Sequence, residues 1–237
     1  MKKAIIVGAT SGIGEALAKI LVHHGYKVGI TGRRKENLIR LKQEHPDKYI
    51  IKSFDSTKTS NAEMLSKLTT ELGGLDLLVI SSGTGGINTE LIYDIENKTN
   101  QLNVVAFTEI ADWTFNYFQK QNKGHLAAIT SIAGLRGSKD APSYFASKAY
   151  QINYLEGLRQ KAKNSKAPIY VTDIRPGFVD TAMALGEGMF WVAPANKAAR
   201  QIYRLIKRRK DVGYVTRRWR LIALVLKIVP GWIYKRI

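Results

Sequence analysis

The sequence contains no cysteine, and this absence excludes several kinds of chemistry. Without thiols there can be no disulfide bond, no thiolate metal site and no cysteine nucleophile, and the composition is compatible with a reducing cytoplasm. The four histidines are His23, His24, His45 and His125. Their spacing does not match that of a metal site, so we predict no bound metal. We also predict that none of them is catalytic. The opening apolar run is interrupted by glycine, which favours a β-strand over a secretory signal. We therefore expect a cytoplasmic protein.

Acidic residues are also scarce. There are 19 acids against 37 lysines and arginines, which gives a formal net charge of +18. The excess is uneven, because residues 197–237 hold thirteen basic residues and one acid, Asp211, so they carry +12 and the first 196 residues carry +6. The end of the chain therefore needs its own explanation.

Short β-branched runs alternate with longer segments of helical periodicity along the chain. The patterns predict strands at 3–8, 26–32, 49–54, 75–81, 125–131, 168–174 and 212–216, and helices at 12–25, 34–44, 60–72, 98–121, 142–163 and 195–209. Buried strands that alternate with helices indicate an α/β fold: a doubly wound, Rossmann-type parallel sheet with helices on both faces. We predict one such domain over residues 1–216, followed by a basic, apolar extension over 217–237.

The stretch GATSGIG, residues 8–14, lies between the first predicted strand and the first predicted helix. Its glycines, Gly8, Gly12 and Gly14, would let the chain turn tightly and bring backbone N–H groups close to a phosphate at the positive end of the helix dipole. An ordinary tight turn is the alternative. The strand before it and the helix after it favour a dinucleotide-binding loop.

Tyr144 and Lys148 lie one turn apart in the helix predicted at 142–163. They could be surface side chains at a common helical spacing. A nearby ammonium also favours the phenolate, so we expect Lys148 to lower the pKa of Tyr144 and make it usable in proton transfer.

The G-x-x-x-G-x-G loop and the Tyr-x-x-x-Lys pair together resemble those of the short-chain dehydrogenase/reductase family, over about residues 3–216. The resemblance implies that Tyr144 exchanges a proton with the substrate oxygen as hydride moves, and that Lys148 also bonds the nicotinamide ribose. It implies that Ser131 hydrogen-bonds the substrate oxygen and that Asn103 supports a water path to the lysine. These four residues are the predicted catalytic set.

The resemblance also implies a set of cofactor contacts. They are Gly8, Thr10, Ser11, Gly12, Ile13, Gly14, Arg33, Arg34, Asp55, Ser81, Ser82, Gly83, Tyr144, Lys148, Pro176, Gly177, Val179 and Thr181. Asp55 matches the adenine-contacting acid, whereas Ser81 departs from the family's usual asparagine. Arg33 and Arg34 follow the second strand where an acid would favour NAD, so we predict NADP(H), with Arg33 preferred as the phosphate ligand. Two solvated arginines are the alternative.

We therefore predict an NADP(H)-dependent oxidoreductase that interconverts a carbonyl and an alcohol. A dinucleotide-binding regulatory or interaction protein without catalysis is the alternative, and nucleic-acid binding is disfavoured because no binding motif is present. In the family the segment after Thr181 covers the substrate. Here that segment holds Met183, Leu185, Met189, Phe190 and Trp191, which suggests a substrate with an apolar portion or simple packing onto the body.

The extension reads RRWRLIALVLKIVPGWIYKRI from Arg217. Its apolar run is too short to cross a bilayer, which needs roughly 20 residues. Two interpretations stay open: peripheral attachment to an anionic membrane, and a contact with a neighbouring subunit or with the substrate cover. Relatives usually pair through the helices predicted at 98–121 and 142–163, so the resemblance implies a homodimer or homotetramer.

Overall fold

The computed structural model describes residues 1–181 and 190–236. Its strands are β1 Lys2–Val7, β2 Tyr26–Gly32, β3 Tyr49–Ser53, β4 Leu77–Ile80, β5 Gly124–Ile129, β6 Ile169–Pro176, β7 Val179–Asp180, β8 Ala193–Pro194 and β9 Val212–Val215. Its α-helices are α1 Gly12–His23, α2 Lys35–Glu44, α3 Asn61–Leu72, α4 Tyr93–Asn100, α5 Phe107–Lys120, α6 Pro142–Asn164, α7 Ala195–Lys207, α8 Trp219–Ile228 and α9 Gly231–Tyr234. A π-helical segment, Gln101–Ala106, joins α4 to α5, and a 3₁₀ turn, Ile132–Leu135, follows β5.

Seven of these strands form one sheet in the order β3-β2-β1-β4-β5-β6-β9. Neighbouring strands run parallel, and Ala4 of β1, for example, pairs with Val28 of β2 on one side and Leu77 of β4 on the other. Because parallel strands end at the same edge, the loops after β1, β2, β4, β5 and β6 meet there. The strand order reverses at β1, and doubly wound sheets bind ligands at such a switch point.

Helices cover both faces of the sheet, and each face has its own apolar core. On one face α1, α2 and α7 pack through residues such as Leu17, Leu38 and Ile202. On the other face α3, α5 and α6 pack through residues such as Leu68 and Leu155. A sheet buried on both sides explains why its strands are continuous apolar runs rather than alternating ones. The predicted fold class is confirmed.

The start and end of α3 show how local sequence sets an element. The Ser60 hydroxyl accepts a hydrogen bond of 3.3 Å from the Glu63 backbone N–H, which satisfies a donor that a helix start leaves without a partner. The helix ends at Gly73, whose φ of 75° is left-handed and is readily adopted by glycine.

The prediction of one continuous α-helix over residues 98–121 is wrong. Helical structure already begins at Tyr93, and six residues, Gln101–Ala106, adopt the wider π-helical turn before α5 begins at Phe107. π-Helical turns insert extra backbone into a helix and often occur at functional sites. Asn103 lies in this turn, and its contacts are described below.

The extension beyond β9 is helical. Trp219 and Ala223 of α8 are both buried, so one side of that helix packs on the body of the protein. Within residues 1–181 and 190–236, no helix is long and apolar enough to cross a membrane.

Candidate active site

The loop after β1 and the first turn of α1 pack so closely that Gly8, Gly12 and Gly14 have no room for side chains. A Cβ on Gly8, whose φ is 92°, would lie 2.6 Å from the backbone nitrogen of Ser82. A Cβ on Gly14 would lie 2.0 Å from the Gly8 carbonyl oxygen. Gly12 has a φ of 59°, and its Cβ would lie 2.9 Å from Cγ2 of Thr181. The loop therefore brings the start of α1 against the turn after β4 and the segment after β6.

Arg34 is bonded to this loop. Its Nη2 donates to Thr10 Oγ1 and to Ser11 Oγ, each at 2.7 Å, and its Nε donates to Thr10 Oγ1 at 3.2 Å. Asn37 of α2 adds a bond of 2.9 Å from Nδ2 to the Thr10 carbonyl. A guanidinium group thus lies beside the hydroxyl-bearing part of the loop, where it could also contact a phosphate.

Arg33 points to the next strand instead. Its Nη1 lies 3.8 Å from Asp55 Oδ2, and the side chain is 63% exposed. Asp55 accepts bonds from the Thr57 backbone N–H at 3.0 Å and from the Thr57 hydroxyl at 2.8 Å. Burial alone would raise the pKa of Asp55, but these two bonds and the Arg33 charge hold it below its usual value. Asp55 is therefore an ionised acceptor at the end of β3.

Tyr144 lies in the first turns of α6 and is tightly packed. The Gly85 backbone packs against its ring, since a Cβ on Gly85 would come within 2.3 Å of Tyr144 Cδ2. Burial raises the pKa of Tyr144, and the neighbouring Ser131 hydroxyl opposes that rise. Ser131 follows β5, and its hydroxyl accepts a hydrogen bond of 3.1 Å from the Ala133 N–H, which fixes its position.

Lys148 is buried one turn further along α6. Its ammonium donates to the Ile129 carbonyl at 3.2 Å and to Gln151 Oε1 at 3.0 Å. Burial lowers the pKa of Lys148 to about 8, and the buried carboxylate of Asp173 on β6 opposes that shift. Asp173 itself is held by Arg175, with Nη2 and Oδ2 2.6 Å apart.

These contacts contradict the expectation that Lys148 lowers the pKa of Tyr144. In the structure the pKa of Tyr144 is raised instead of lowered, because desolvation of the phenol is the largest influence on it. The ammonium lies 5.9 Å from the centroid of the tyrosine ring and is bonded to other groups. Burial therefore favours the protonated form of the Tyr144 phenol in this structure.

Asn103 is fully buried and connects three parts of the site. Its side chain accepts from the Thr84 N–H at 2.9 Å and donates to the Thr84 carbonyl at 2.7 Å. The same amide donates to Ser147 Oγ at 3.0 Å, and the Asn103 carbonyl accepts from Gln151 Nε2 at 2.8 Å. The π-helical turn thus reaches Lys148 through Gln151 and also fixes the loop after β4.

The segment that follows β6 lies next to the loop after β1 and lines the same cavity. The Gly177 N–H donates to the Val215 carbonyl at 2.8 Å, and a Cβ on Gly177 would lie 2.0 Å from Trp219 Cε2. Val179 is buried and pairs with Ala193. Thr181 packs against Gly12 at the start of α1, as noted above.

A single cavity of about 890 Å³ joins these regions. Of the residues predicted to be catalytic or to bind cofactor, all except Gly14 and Asn103 line it. Gly14 packs against Gly8, with which a Cβ would clash, and Asn103 is bonded to Thr84 and Gln151 instead of lining the cavity.

Several residues of the site were not predicted. They include the lining residues Thr84, Gly85, Gly86, Ile87, Leu102, Arg136, Phe145, Leu226 and Tyr234, and the supporting residues Asn37, Ser147, Gln151 and Asp173. Gln151 could have been found, because it stands three residues after Lys148 on the same helix. The glycine run GTGG after β4 was also a signal of close packing.

The extension forms part of the cavity wall, through Leu226 and Tyr234. Arg136 holds it there, because Nη1 donates to the carbonyls of Leu226 at 3.2 Å and Val229 at 2.9 Å. The guanidinium carbon also lies 4.3 Å from the centroid of the Tyr234 ring.

Aromatic rings connect α8 to the segment predicted to cover the substrate. Phe190 lies 5.1 Å and Trp191 5.8 Å from Trp219, between ring centroids. Phe178 lies 5.4 Å from the same tryptophan. The other predicted residues of that segment, Met183, Leu185 and Met189, lie outside the described residues.

Comparison with known proteins defines the family. The family model for short chain dehydrogenases matches residues 2–188. An uncharacterised oxidoreductase of Staphylococcus epidermidis is 30% identical over 188 residues, which cover 78% of this chain and 81% of that protein. The chain therefore belongs to the short-chain dehydrogenase family, a family of oxidoreductases, and this level of the prediction is confirmed.

Solved structures show the same fold. A short-chain dehydrogenase from Sphingobium yanoikuyae in complex with NADPH superposes with a TM-score of 0.81 at 20% identity, covering 98% of this chain and 97% of its own. The protein ElxO with NADP bound superposes with a TM-score of 0.77 at 22% identity, covering 90% and 96%.

Proposed function

We propose that the protein is an NADP(H)-dependent oxidoreductase that interconverts a carbonyl compound and an alcohol, with Tyr144 as the proton donor or acceptor. The observation that carries this proposal is that Ser131, Tyr144 and Lys148 line the same cavity as the glycine loop. A dinucleotide on the loop would thus extend toward a phenol, a hydroxyl and an ammonium in the same cavity.

The arginines at the end of β2 support NADP(H) over NAD(H). Arg33 and Arg34 both line the cavity, and no acid precedes them there. A guanidinium binds a phosphate through two parallel hydrogen bonds, so either side chain could hold the 2′-phosphate. The NADP and NADPH bound to the two solved relatives are consistent with this choice.

In the proposed reaction Ser131, Tyr144 and Lys148 each have a different role. When bound, NADPH would supply the hydride to the carbonyl carbon. Ser131 would hold the carbonyl oxygen, and Tyr144 would give that oxygen its proton. Because an alkoxide is much more basic than a phenolate, a tyrosine with a raised pKa is still acidic enough for this transfer. Lys148, whose ammonium lies 5.9 Å from the centroid of the Tyr144 ring, would bond the nicotinamide ribose.

The rest of the cavity favours a substrate with an apolar portion. Ile87, Leu102, Phe145 and Leu226 all line it. Apolar walls around a few convergent polar groups are typical of small-molecule sites. Arg136 and Tyr234 line the same cavity and add polar groups to it.

The test is Tyr144→Phe, assayed by NADPH oxidation with carbonyl compounds of increasing chain length. We expect NADPH binding to persist and turnover to fall by roughly 10²–10⁴-fold, the usual contribution of a positioned acid. Tyr150→Phe is the matched control, because that tyrosine lies on the same helix and its hydroxyl is bonded to Thr108 outside the cavity. Turnover that survives in Tyr144→Phe would rule out the proposed chemistry.

A further inference from the structure

Helix α8 presents an apolar stripe to the outside of the molecule. Leu221, Leu224, Val225 and Ile228 follow the i, i+3, i+4, i+7 spacing of one helix face, and each is more than half exposed. Trp232, four residues beyond, is 67% exposed. Contiguous exposed apolar side chains of this kind mark an interaction surface.

The orientation of this stripe is fixed by the opposite side of the helix. Trp219 and Ala223 are buried, and the bonds from Arg136 to the carbonyls of Leu226 and Val229 hold the end of the helix on the body. The stripe therefore faces outward in the packed structure.

Basic residues flank the stripe in the sequence, and no acidic residue lies among them. Residues 217–236 contain six lysines and arginines and no acid: Arg217, Arg218, Arg220, Lys227, Lys235 and Arg236. Apolar and tryptophan side chains flanked by basic residues are the composition of helices that lie in the interface of a membrane.

We propose that the outer face of α8 and Trp232 dock on an anionic lipid surface. A second copy of this chain is a poorer occupant, because residues 197–237 carry +12 in each copy and would repel one another. Anionic headgroups complement that charge, and the stripe supplies side chains that enter the acyl boundary. The ten residues of α8 are far too few to span a bilayer, so the helix would lie along the surface.

Docking would bring the candidate active site close to lipid. Leu226 lies on α8 and lines the cavity, whereas Leu224 and Val225 lie on the outer face of the same helix. The cavity wall and the lipid would be separated by one helix, which is about 10 Å across. This docking does not depend on the proposed reaction, because it rests on the surface alone.

The experiment is flotation of the full chain with vesicles of phosphatidylcholine, with or without 30% phosphatidylglycerol. We expect the protein to float with the anionic vesicles at low salt, to be released at about 0.5 M salt, and to stay unbound with neutral vesicles. The double variant Leu221→Ser/Leu224→Ser keeps the charge and changes only exposed side chains. It should lower the partition coefficient by about tenfold or more, because two leucines lose their apolar burial.

Ile39→Ser is the matched control, since Ile39 is an exposed apolar residue on α2 and should leave vesicle binding unchanged. Thermal unfolding and NADPH binding of each variant report whether the fold is intact. The proposal is overturned if anionic vesicles do not bind the chain, or if they bind the double variant as well as the original. Self-association that the double variant abolishes, without vesicle binding, would instead assign the stripe to a subunit contact.

Discussion

His125 gives a quantitative test of the packing at the start of β5. The side chain is buried, and its Nε2 lies 2.8 Å from Thr172 Oγ1 on β6. Burial, followed by the positive charge of Arg209, lowers the pKa of His125 to about 4. In the unfolded chain the imidazole would titrate near its ordinary pKa of about 6.5.

The direction in which pH changes the free energy of unfolding depends on whether the folded or the unfolded state binds more protons. Between pH 4 and pH 6.5 the unfolded chain holds the proton and the folded protein does not, so stability rises with pH across this window. Lowering the pH from 7.5 to 5.0 should therefore cost about 2 kcal/mol from this histidine alone, given about 1.4 kcal/mol per pKa unit.

Urea unfolding at pH 7.5 and pH 5.0, followed by tryptophan fluorescence, measures that loss. His125→Gln removes the titration, so the variant should lose about 2 kcal/mol less than the unmodified protein between the two pH values. His45→Gln removes an exposed imidazole at the end of α2 and is the control. Equal losses in the unmodified protein and in His125→Gln would refute the assignment of a buried, neutral imidazole.

Two further predictions concern the cavity. Arg33→Ala or Arg34→Ala should weaken NADPH binding by about tenfold or more and leave NADH binding nearly unchanged, as measured by fluorescence titration, because only NADPH carries the 2′-phosphate. Equal losses for both cofactors would point to a structural role instead. Gly85→Ala would place a methyl group 2.3 Å from the ring of Tyr144 and should lower kcat by at least about tenfold. Gly86→Ala meets no atom within 4 Å and should retain activity; if both variants behave alike, the contact with the ring has no catalytic importance.

The sheet was predictable because its signals are local. Apolar β-branched runs separated by helical periodicity place the seven strands of the main sheet within a few residues of their observed ends. The shared edge of parallel strands then brings together Gly8, Ser131 and the other strand-end residues without any knowledge of their contacts. The π-helical turn at Asn103 was not predictable in this way, since the sequence QLNVVA fits an ordinary helix equally well.

The electrostatics of the site depend on contacts that spacing does not reveal. The four-residue interval between Tyr144 and Lys148 suggested a lowered phenol pKa, but depth of burial decides the direction, and burial is set by distant elements. Arg136 and Leu226 are 90 residues apart, and their bond gives the extension its place at the cavity. Nothing in the local pattern around either residue predicts this contact.

The aromatic group around Trp219 has an optical consequence. Trp191 and Trp219 lie 5.8 Å apart with their ring planes at 77°, close enough for their excited states to interact. Trp191 belongs to the segment expected to cover the substrate, and Trp219 packs beside Gly177. Any displacement of Trp191 relative to α8 would change the near-ultraviolet circular dichroism and the emission of the pair, so the two rings form an internal reporter of that movement.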